Sequence, residues 1–137
     1  MANSPESIAC EFVVAINRQD PAALAELMTP DHRFIDSLGN VVEGRDQMRA
    51  GWDGYFRMVP DYTIAIDETF RNGSVVVMLG SAQGTYSADG ELRPESSDEN
   101  RWQTPAAFRA VIRDGEVAEW RVYADNDPIR RRMAARA

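Results

Sequence analysis

Apolar and polar residues alternate along the stretch Trp102–Asp125, WQTPAAFRAVIRDGEVAEWRVYAD, in two successive runs. A period of two is typical of a strand with one buried face and one solvated face. Asp114 and Gly115 separate the two runs, and Asp-Gly between such runs is a strong hairpin signal. We therefore predict a long hairpin whose apolar face is covered by other elements. The inward positions are Phe108, Ala110, Ile112, Val117, Trp120 and Val122.

Helical spacing of apolar residues predicts three helices before this hairpin. Ser4 and Asp20 each precede a proline, which is typical of a helix start, and apolar residues follow at intervals of three and four. Pro30 is expected to end the second helix. A third helix is predicted between Gly44 and Pro60. Its apolar face is aromatic and consists of Met48, Trp52, Tyr55, Phe56 and Val59.

Strand patterns fill the remaining segments. A short strand is predicted over His32–Asp36, and two longer ones over Tyr62–Phe70 and Ser74–Tyr86. Asn72-Gly73 joins the longer pair, a dipeptide that favours positive φ at both turn positions. Residues 88–101 are rich in turn formers and acids, so we predict a long loop there, either a lid or a mobile connection.

Composition favours one globular domain. The chain has 137 residues, 44% hydrophobic and 27% charged, which suits a single core over about residues 5–128. Residues 129–137 form a tail, in which we predict a short arginine-bearing helix that is solvated or paired with carboxylates. No apolar run is long enough to span a bilayer, and the start MANSPESIAC has no signal-peptide pattern. We therefore expect a cytoplasmic protein that does not bind membranes.

Charge and side-chain chemistry exclude several classes of function. The net charge of -7 argues against binding to nucleic acid, because such sites are built on basic faces. Cys10 is the only cysteine and His32 the only histidine, so a metal site would need unusual ligands. We expect no metal and no cofactor. Cys10 is interpreted as a small buried thiol in the first helix.

Four segments, in this order and spacing, carry a resemblance to a known family: AINRQDPAALAELMTPDHRFID, VEGRDQMRAGW, VPDY and VAEWRVYADNDP. The chain resembles the nuclear transport factor 2-like superfamily, and within it the SnoaL-like and ketosteroid isomerase-like proteins. The resemblance extends from about Pro5 to Pro128. It implies an α+β fold, in which a cone-shaped, curved mixed or antiparallel sheet and three covering helices surround an apolar pocket.

Residue by residue, the resemblance transfers a base but no oxyanion hole. Asp36 occupies the place of the proton-shuttling aspartate of ketosteroid isomerases. The tyrosine of their oxyanion hole corresponds to Phe12, and its protonated aspartate corresponds to Ala106 or Ala107. The side chains of phenylalanine and alanine have no hydrogen-bond donor for an enolate, which argues against steroid isomerisation by that mechanism.

The last strand departs from a second group of relatives. In epoxide hydrolases of this superfamily a catalytic aspartate follows Trp-Arg, and here that place is taken by Val122. Asp125 lies three residues on and is expected to point outward with Arg121 and Tyr123. An outer sheet face that carries Arg and Tyr is typical of a protein interface, and relatives often pair through this sheet. We therefore expect a homodimer.

Two interpretations remain open for each polar candidate. Asp36 is either a general base whose pKa is raised by desolvation, or the centre of an Asx turn that accepts N–H groups from Leu38 or Gly39. His32 is either an acid-base partner that orients Asp36, or a residue at the solvent edge. Trp52 replaces a supporting tyrosine of the isomerases, and its indole N–H is able to donate to a ligand.

The first functional hypothesis is an isomerase-, cyclase- or hydrolase-type enzyme acting on a small hydrophobic molecule. The alternatives are a non-catalytic module that binds a ligand or a partner, and a purely structural association domain. The aromatic candidates are interpreted either as core or as the wall of a ligand pocket. The ligand-binding candidates are Phe12, Ile16, Phe34, Trp52, Tyr55, Phe56, Trp102, Phe108, Trp120 and Val122.

Overall fold

The computed structural model of the protein describes residues 3–92 and 100–136. Two helices open the chain where the sequence predicts them, α1 over Pro5–Asn17 and α2 over Pro21–Leu27. The side chain of Ser4 caps α1, and that of Asp20 caps α2. Each accepts a backbone N–H bond of 3.1 Å from three residues ahead. Both predicted helix starts are confirmed.

The other two helices are α3 over Arg45–Met58 and α4 over Asp127–Arg136. α3 buries Met48, Trp52 and Phe56 on one face, as its spacing predicts. The short tail helix predicted after the last strand is α4, which buries Ile129 against the core.

Six strands form one mixed sheet with the order β2-β1-β6-β5-β4-β3. β1 runs parallel to β6, and all other neighbours are antiparallel. With the helices, the sheet gives the α+β fold that the resemblance implies. The strands are β1 (Met28–Ile35), β2 (Val41–Glu43), β3 (Thr63–Asn72), β4 (Val75–Thr85), β5 (Arg101–Arg113) and β6 (Glu116–Ala124).

The first edge of the sheet differs from the prediction. β1 begins at Met28, four residues before the predicted start, and Pro30 lies inside it. The pairing of β1 with β6 is irregular between Met28 and Arg33, so Pro30 falls where the ladder is interrupted. β2 was not predicted, because three exposed residues are too few to show a period.

The two hairpin turns illustrate different constraints. Asp114 and Gly115 both have positive φ, +53° and +78°, as the predicted Asp-Gly turn requires. The other turn is shifted by one residue from the prediction, because β3 extends through Asn72 and the turn consists of Gly73 and Ser74. Only Gly73 there has positive φ, +61°.

The sheet bends where β3 meets the middle of β4. A bulge interrupts the β3–β4 pairing between Ile66 and Glu68, next to Gly80. A Cβ atom at Gly80 would lie 1.8 Å from the carbonyl oxygen of Ala65. The two strand backbones are therefore so close at this point that only glycine fits. A bulge of this kind bends its strand and increases the local twist.

The predicted loop over residues 88–101 lies partly outside the described residues, which resume at Asn100. Residues 93–99 are not described. In the part of the chain that is described, no helix combines the length and the apolar character that crossing a membrane requires.

We expect Gly80→Ala to destabilise the protein by about 3 kcal/mol or more, since its methyl group has to displace the backbone of the neighbouring strand. Gly54→Ala is the matched control, because Gly54 lies on an exposed part of α3 with no atom near the added methyl group. It is expected to stabilise the protein by about 0.5–1 kcal/mol. Urea denaturation measures both, and equal stability of Gly80→Ala and wild type would contradict the close approach.

Candidate functional site

A cavity of about 330 Å³ lies between α3 and the inner face of the sheet. Most of its wall is aromatic or aliphatic, and it is large enough for a small organic molecule. It is lined by Phe34, Asp36, Ser37, Val42, Met48, Gly51, Trp52, Tyr55, Tyr62, Ala82, Trp102, Thr104, Val122, Ala124 and Asn126.

Small side chains at inward positions of three strands leave the space open. Ala82 on β4 pairs with Thr104 on β5, and both line the cavity, as does Ala124 on β6. Further along the same strands the inward positions are large, since Phe108 on β5 pairs with Met78 on β4. The sheet is therefore filled by its own side chains at one end and is left open at the other.

Aromatic rings form a continuous wall along the cavity. Phe34 and Trp52 have ring centroids 5.9 Å apart, and Trp52 and Tyr55 are separated by 6.4 Å. Tyr55 meets Tyr62 edge-to-face at 4.9 Å, and Tyr62 lies 6.0 Å from Trp102. Such distances are typical of favourable aromatic pairs. The wall begins beside Asp36, which follows Phe34 by two residues, and ends at the start of β5.

Asp36 is held by the turn between β1 and β2. Its Oδ1 atom accepts hydrogen bonds of 2.9 Å from the backbone N–H groups of Leu38 and Asn40. Its Oδ2 atom accepts a bond of 3.1 Å from the side-chain amide of Asn40. The Asx turn foreseen as one interpretation is therefore present, and the same carboxylate also lines the cavity.

The electrostatic surroundings lower the pKa of Asp36. Burial raises this pKa, but it is outweighed by the backbone and side-chain hydrogen bonds from Asn40, the backbone bond from Leu38 and the charge of Arg130. The expectation that desolvation would raise the pKa of Asp36 was therefore wrong in direction. The carboxylate is ionised at neutral pH and is a weak base.

His32 is neither beside Asp36 nor at the solvent edge. It is fully buried, its ring stacks on Phe12 at 6.1 Å, and it does not line the cavity. Its Nδ1 atom lies 2.7 Å from the carbonyl oxygen of Val117, so Nδ1 carries the proton and donates it. Nε2 is buried without a hydrogen-bond partner among the described residues. The expectation of a solvent-edge residue was wrong, because β6 and α1 cover the ring.

With this geometry established, the family can be assigned. A family model described as the SnoaL-like domain matches residues 9–120, which is most of the chain. The chain belongs to the SnoaL-like family. No curated protein matches the sequence.

Solved structures share the fold at low sequence identity. A candidate SnoaL-like polyketide cyclase from Shewanella denitrificans is 15% identical, with a TM-score of 0.78 over 96% of this chain and 97% of the other. One from Jannaschia sp. is 20% identical, with a TM-score of 0.76 over 98% of each chain. A protein from Catenulispora acidiphila with a ketosteroid isomerase-like fold, in complex with trimethylamine, is 21% identical, with a TM-score of 0.72 over 88% of this chain and 86% of the other. Identities this low show a shared fold and no more.

The predicted ligand-binding residues divide into two groups. Phe34, Trp52, Tyr55, Trp102 and Val122 line the cavity. The others lie in the packed core, where Phe12 on α1 meets Trp120 at 4.7 Å and Phe108 stacks on Trp120 at 5.5 Å. The core group is Phe12, Ile16, Phe56, Phe108 and Trp120.

The outer positions of the last strand behave as alternation predicts. Tyr123 is 47% exposed, and Asp125 is exposed and accepts a 2.9 Å bond from the backbone N–H of Asp127 at the start of α4.

Phe12 and Ala106, the places of the isomerase oxyanion hole, are buried and do not line the cavity. Within residues 3–92 and 100–136, no three His, Cys, Asp or Glu side chains are grouped so that they could hold a metal ion. Cys10 is exposed rather than buried, because it lies on the outer side of α1.

Sequence reasoning missed nine of the fifteen described residues that line the cavity. Thr104 and Ala124 lie two residues beyond inward positions already recognised, so strict alternation would have found them. Ser37 and Asn126 had no local signal, because they meet only in the folded chain, where the Asn126 amide donates to Ser37 Oγ at 2.5 Å. Tyr62 was assigned to a strand start without a role. The missed residues are Ser37, Val42, Met48, Gly51, Tyr62, Ala82, Thr104, Ala124 and Asn126.

The buried histidine predicts a loss of stability in mild acid. Burial lowers the pKa of His32, partly offset by its bond to Val117 and by the charges of Glu119 and Asp31. The folded protein disfavours the charged ring, so the neutral His32 contributes fully to the free energy of unfolding above its unfolded-state pKa of about 6.5. This contribution falls as the pH drops from there towards the lower pKa of His32 in the folded state. Each unit of separation between these two pKa values contributes about 1.4 kcal/mol.

An NMR titration measures the effect directly, since this histidine gives the only imidazole signal. We expect a folded-state pKa below 6.5, and urea denaturation between pH 5 and pH 7 should show the corresponding slope. In His32→Gln the part of the pH dependence of the free energy of unfolding that is due to this histidine should disappear. A folded pKa at or above 6.5 would contradict the buried, neutral ring.

Proposed function

We propose that the protein is an enzyme that binds a flat, apolar small molecule in this cavity and moves a proton with Asp36 as general base. The observation that carries the proposal is the position of Asp36, which is the one carboxylate among the described residues that line the cavity. Aromatic groups form the adjoining wall, where water competes poorly for contact with a substrate.

The hydrogen bonds that hold Asp36 still allow its carboxylate to accept a proton from a substrate. A carboxylate has about four lone-pair positions, and three are occupied here, two on Oδ1 and one on Oδ2. One position on Oδ2 therefore remains for a substrate proton or a water molecule. The turn also fixes the orientation of the carboxylate, which lowers the entropic cost of reaching a reactive geometry.

The chemistry of the wall supports a fused-ring or similarly flat substrate. Flat apolar molecules pack well against aromatic faces and edges, and a cavity of about 330 Å³ accommodates a few rings. Two of the similar structures are named as candidate polyketide cyclases. These names and the family support a reaction of the isomerisation or ring-closing type, in which a base removes a proton next to a carbonyl group.

A second candidate function is ligand binding without catalysis. It is favoured by the three hydrogen bonds that lower the pKa of Asp36, because a carboxylate held in this way is a weaker base. The absence of hydrogen-bond donors at Phe12 and Ala106 favours it as well. Under this alternative the turn around Asp36 shapes the cavity and does no chemistry.

Exchange of the α-protons of 2-tetralone in heavy water, followed by NMR, tests the enzymatic function without knowledge of the natural substrate. We expect the wild-type protein to accelerate exchange and Asp36→Asn to lose about 10²- to 10⁴-fold of the rate, the usual contribution of a general base. Asn at this position retains an oxygen that accepts the two backbone N–H bonds, so the fold should be preserved.

Asp20→Asn is the matched control, since Asp20 accepts a backbone N–H bond at the start of α2 and does not line the cavity. Its exchange rate should equal that of wild type. If 2-tetralone quenches tryptophan fluorescence equally in wild type and in Asp36→Asn, and neither accelerates exchange, the non-catalytic function is favoured. The absence of any binding would contradict both candidates.

We also propose that two copies of the chain pair through the outer face of the sheet. Arg121 stacks on the ring of Tyr123 at 4.8 Å, and Tyr123 is 47% exposed. In the same cross-strand row as Arg121, Phe70 on β3 is 54% exposed. Exposed aromatic and arginine side chains on one face are enriched at protein interfaces.

We expect the wild-type protein to sediment with twice the mass of one chain, and Tyr123→Glu to sediment as a monomer because it places a charge within the proposed contact. Val14→Glu is the control, since Val14 is comparably exposed, 45%, but lies on α1. Sedimentation equilibrium gives the masses. A monomeric wild type, or a dimer that persists in Tyr123→Glu and is lost in Val14→Glu, would contradict this surface.

A further inference from the structure

Two tyrosine hydroxyls belong to the aromatic wall. Tyr55 on α3 and Tyr62 before β3 both line the cavity, and Tyr62 is only 6% exposed. Within residues 3–92 and 100–136 neither hydroxyl takes part in a hydrogen bond. A hydroxyl that belongs to a cavity wall and makes no hydrogen bond to these residues is available to a ligand.

Unpaired tyrosine hydroxyls are a more specific sign of a ligand site here than unpaired tryptophan N–H groups. Among the described residues the indole N–H groups of Trp52 and Trp102 also have no partner, but neither has that of Trp120, which is buried in the core and does not line the cavity. An unpartnered indole is therefore not specific to the cavity in this protein. The rings of Tyr55 and Tyr62 are close neighbours, with centroids 4.9 Å apart.

The tyrosine pair and Asp36 lie at different parts of the wall. Asp36 belongs to the end near β1 and β2, beside Phe34, whereas Tyr62 leads into β3 at the opposite edge of the sheet. Trp52 lies between Phe34 and Tyr55 in the chain of ring contacts. A molecule that fills the cavity consequently meets an anionic acceptor at one end and two neutral donors at the other.

We propose that the hydroxyls of Tyr55 and Tyr62 bind an acceptor oxygen of the ligand, so that the cavity selects oxygen-bearing flat molecules over hydrocarbons of the same shape. This inference rests on the proposed function, because it requires that the cavity binds a ligand. It assigns a specificity role to two residues whose side chains have no other polar function in the described structure.

The ionisation behaviour of the pair agrees with a role as donors. Burial raises the pKa of Tyr55, and burial together with the neighbouring Tyr55 raises the pKa of Tyr62. Both phenols therefore stay protonated over the whole physiological range. A neutral O–H group donates to a carbonyl or hydroxyl oxygen of a ligand and gains nothing from a methylene group in the same place.

Matched probe molecules test the selection. 2-Acetylnaphthalene carries a ketone, and 2-ethylnaphthalene has nearly the same shape without an acceptor oxygen. We expect wild type to bind the ketone at least about tenfold more tightly, measured by quenching of tryptophan fluorescence, because the hydrocarbon leaves both donors unpaired. In the double variant Tyr55→Phe, Tyr62→Phe the two affinities should become equal within about twofold, through a loss of ketone affinity alone.

Tyr86→Phe is the control variant, since Tyr86 does not line the cavity, and it should preserve the preference. The thermal stability of Tyr62→Phe without ligand gives an independent readout. Because the hydroxyl has no partner among the described residues, its removal should leave the melting temperature unchanged or raise it, whereas loss of a structural hydrogen bond would lower it.

The outcomes separate this inference from the function on which it rests. Equal affinity of wild type for ketone and hydrocarbon, or a preference that survives the double variant, would overturn the role of the tyrosine pair while cavity binding stands. A failure of both probes to bind would overturn the proposed function itself. A marked fall in melting temperature for Tyr62→Phe would show a structural hydroxyl and would also count against the inference.

Discussion

The ring of Trp52 joins the packed core of this protein to its cavity, and the other features of the site depend on that contact. On the core side Trp52 meets Phe12 at 6.4 Å and stacks on Phe56 at 5.4 Å. On the cavity side it meets Phe34 at 5.9 Å and Tyr55 at 6.4 Å. The indole thereby fixes the distance of α3 from the sheet. A much smaller side chain at this position would open the cavity towards the core and remove the ring contact between α3 and Phe34 of β1.

The cavity combines space from small residues with polarity at its ends. The small inward residues Ala82, Thr104 and Ala124 provide the space, and the bulge beside Gly80 bends the sheet near it. The turn that orients Asp36 at one end also weakens it as a base, because each hydrogen bond that fixes the carboxylate stabilises its charged form. Whether the fixed orientation of Asp36 outweighs its reduced basicity decides between the enzymatic function and simple binding.

Local patterns predicted the elements well and the cavity only in part. Alternation and the positive φ at Gly115 determine the last hairpin, because both depend on neighbouring residues alone. The short β2 has too few residues to show a period. Whether an inward aromatic faces core or cavity depends on where α1 covers the sheet, which is a long-range property. Trp120 and Trp102 therefore have the same sequence pattern, although α1 covers the first and the second lines the cavity. The burial of His32 under β6 is a long-range property of the same kind.

A crystal structure with bound 2-acetylnaphthalene would show directly whether this cavity is an open binding site with distinct polar ends. We expect the naphthalene rings to lie against Trp52 and the ketone oxygen to lie within about 3 Å of the Tyr55 or Tyr62 hydroxyl. Asp36 should still face the cavity. A cavity filled by its own side chains, or a ligand bound only on the outer surface, would contradict such a site.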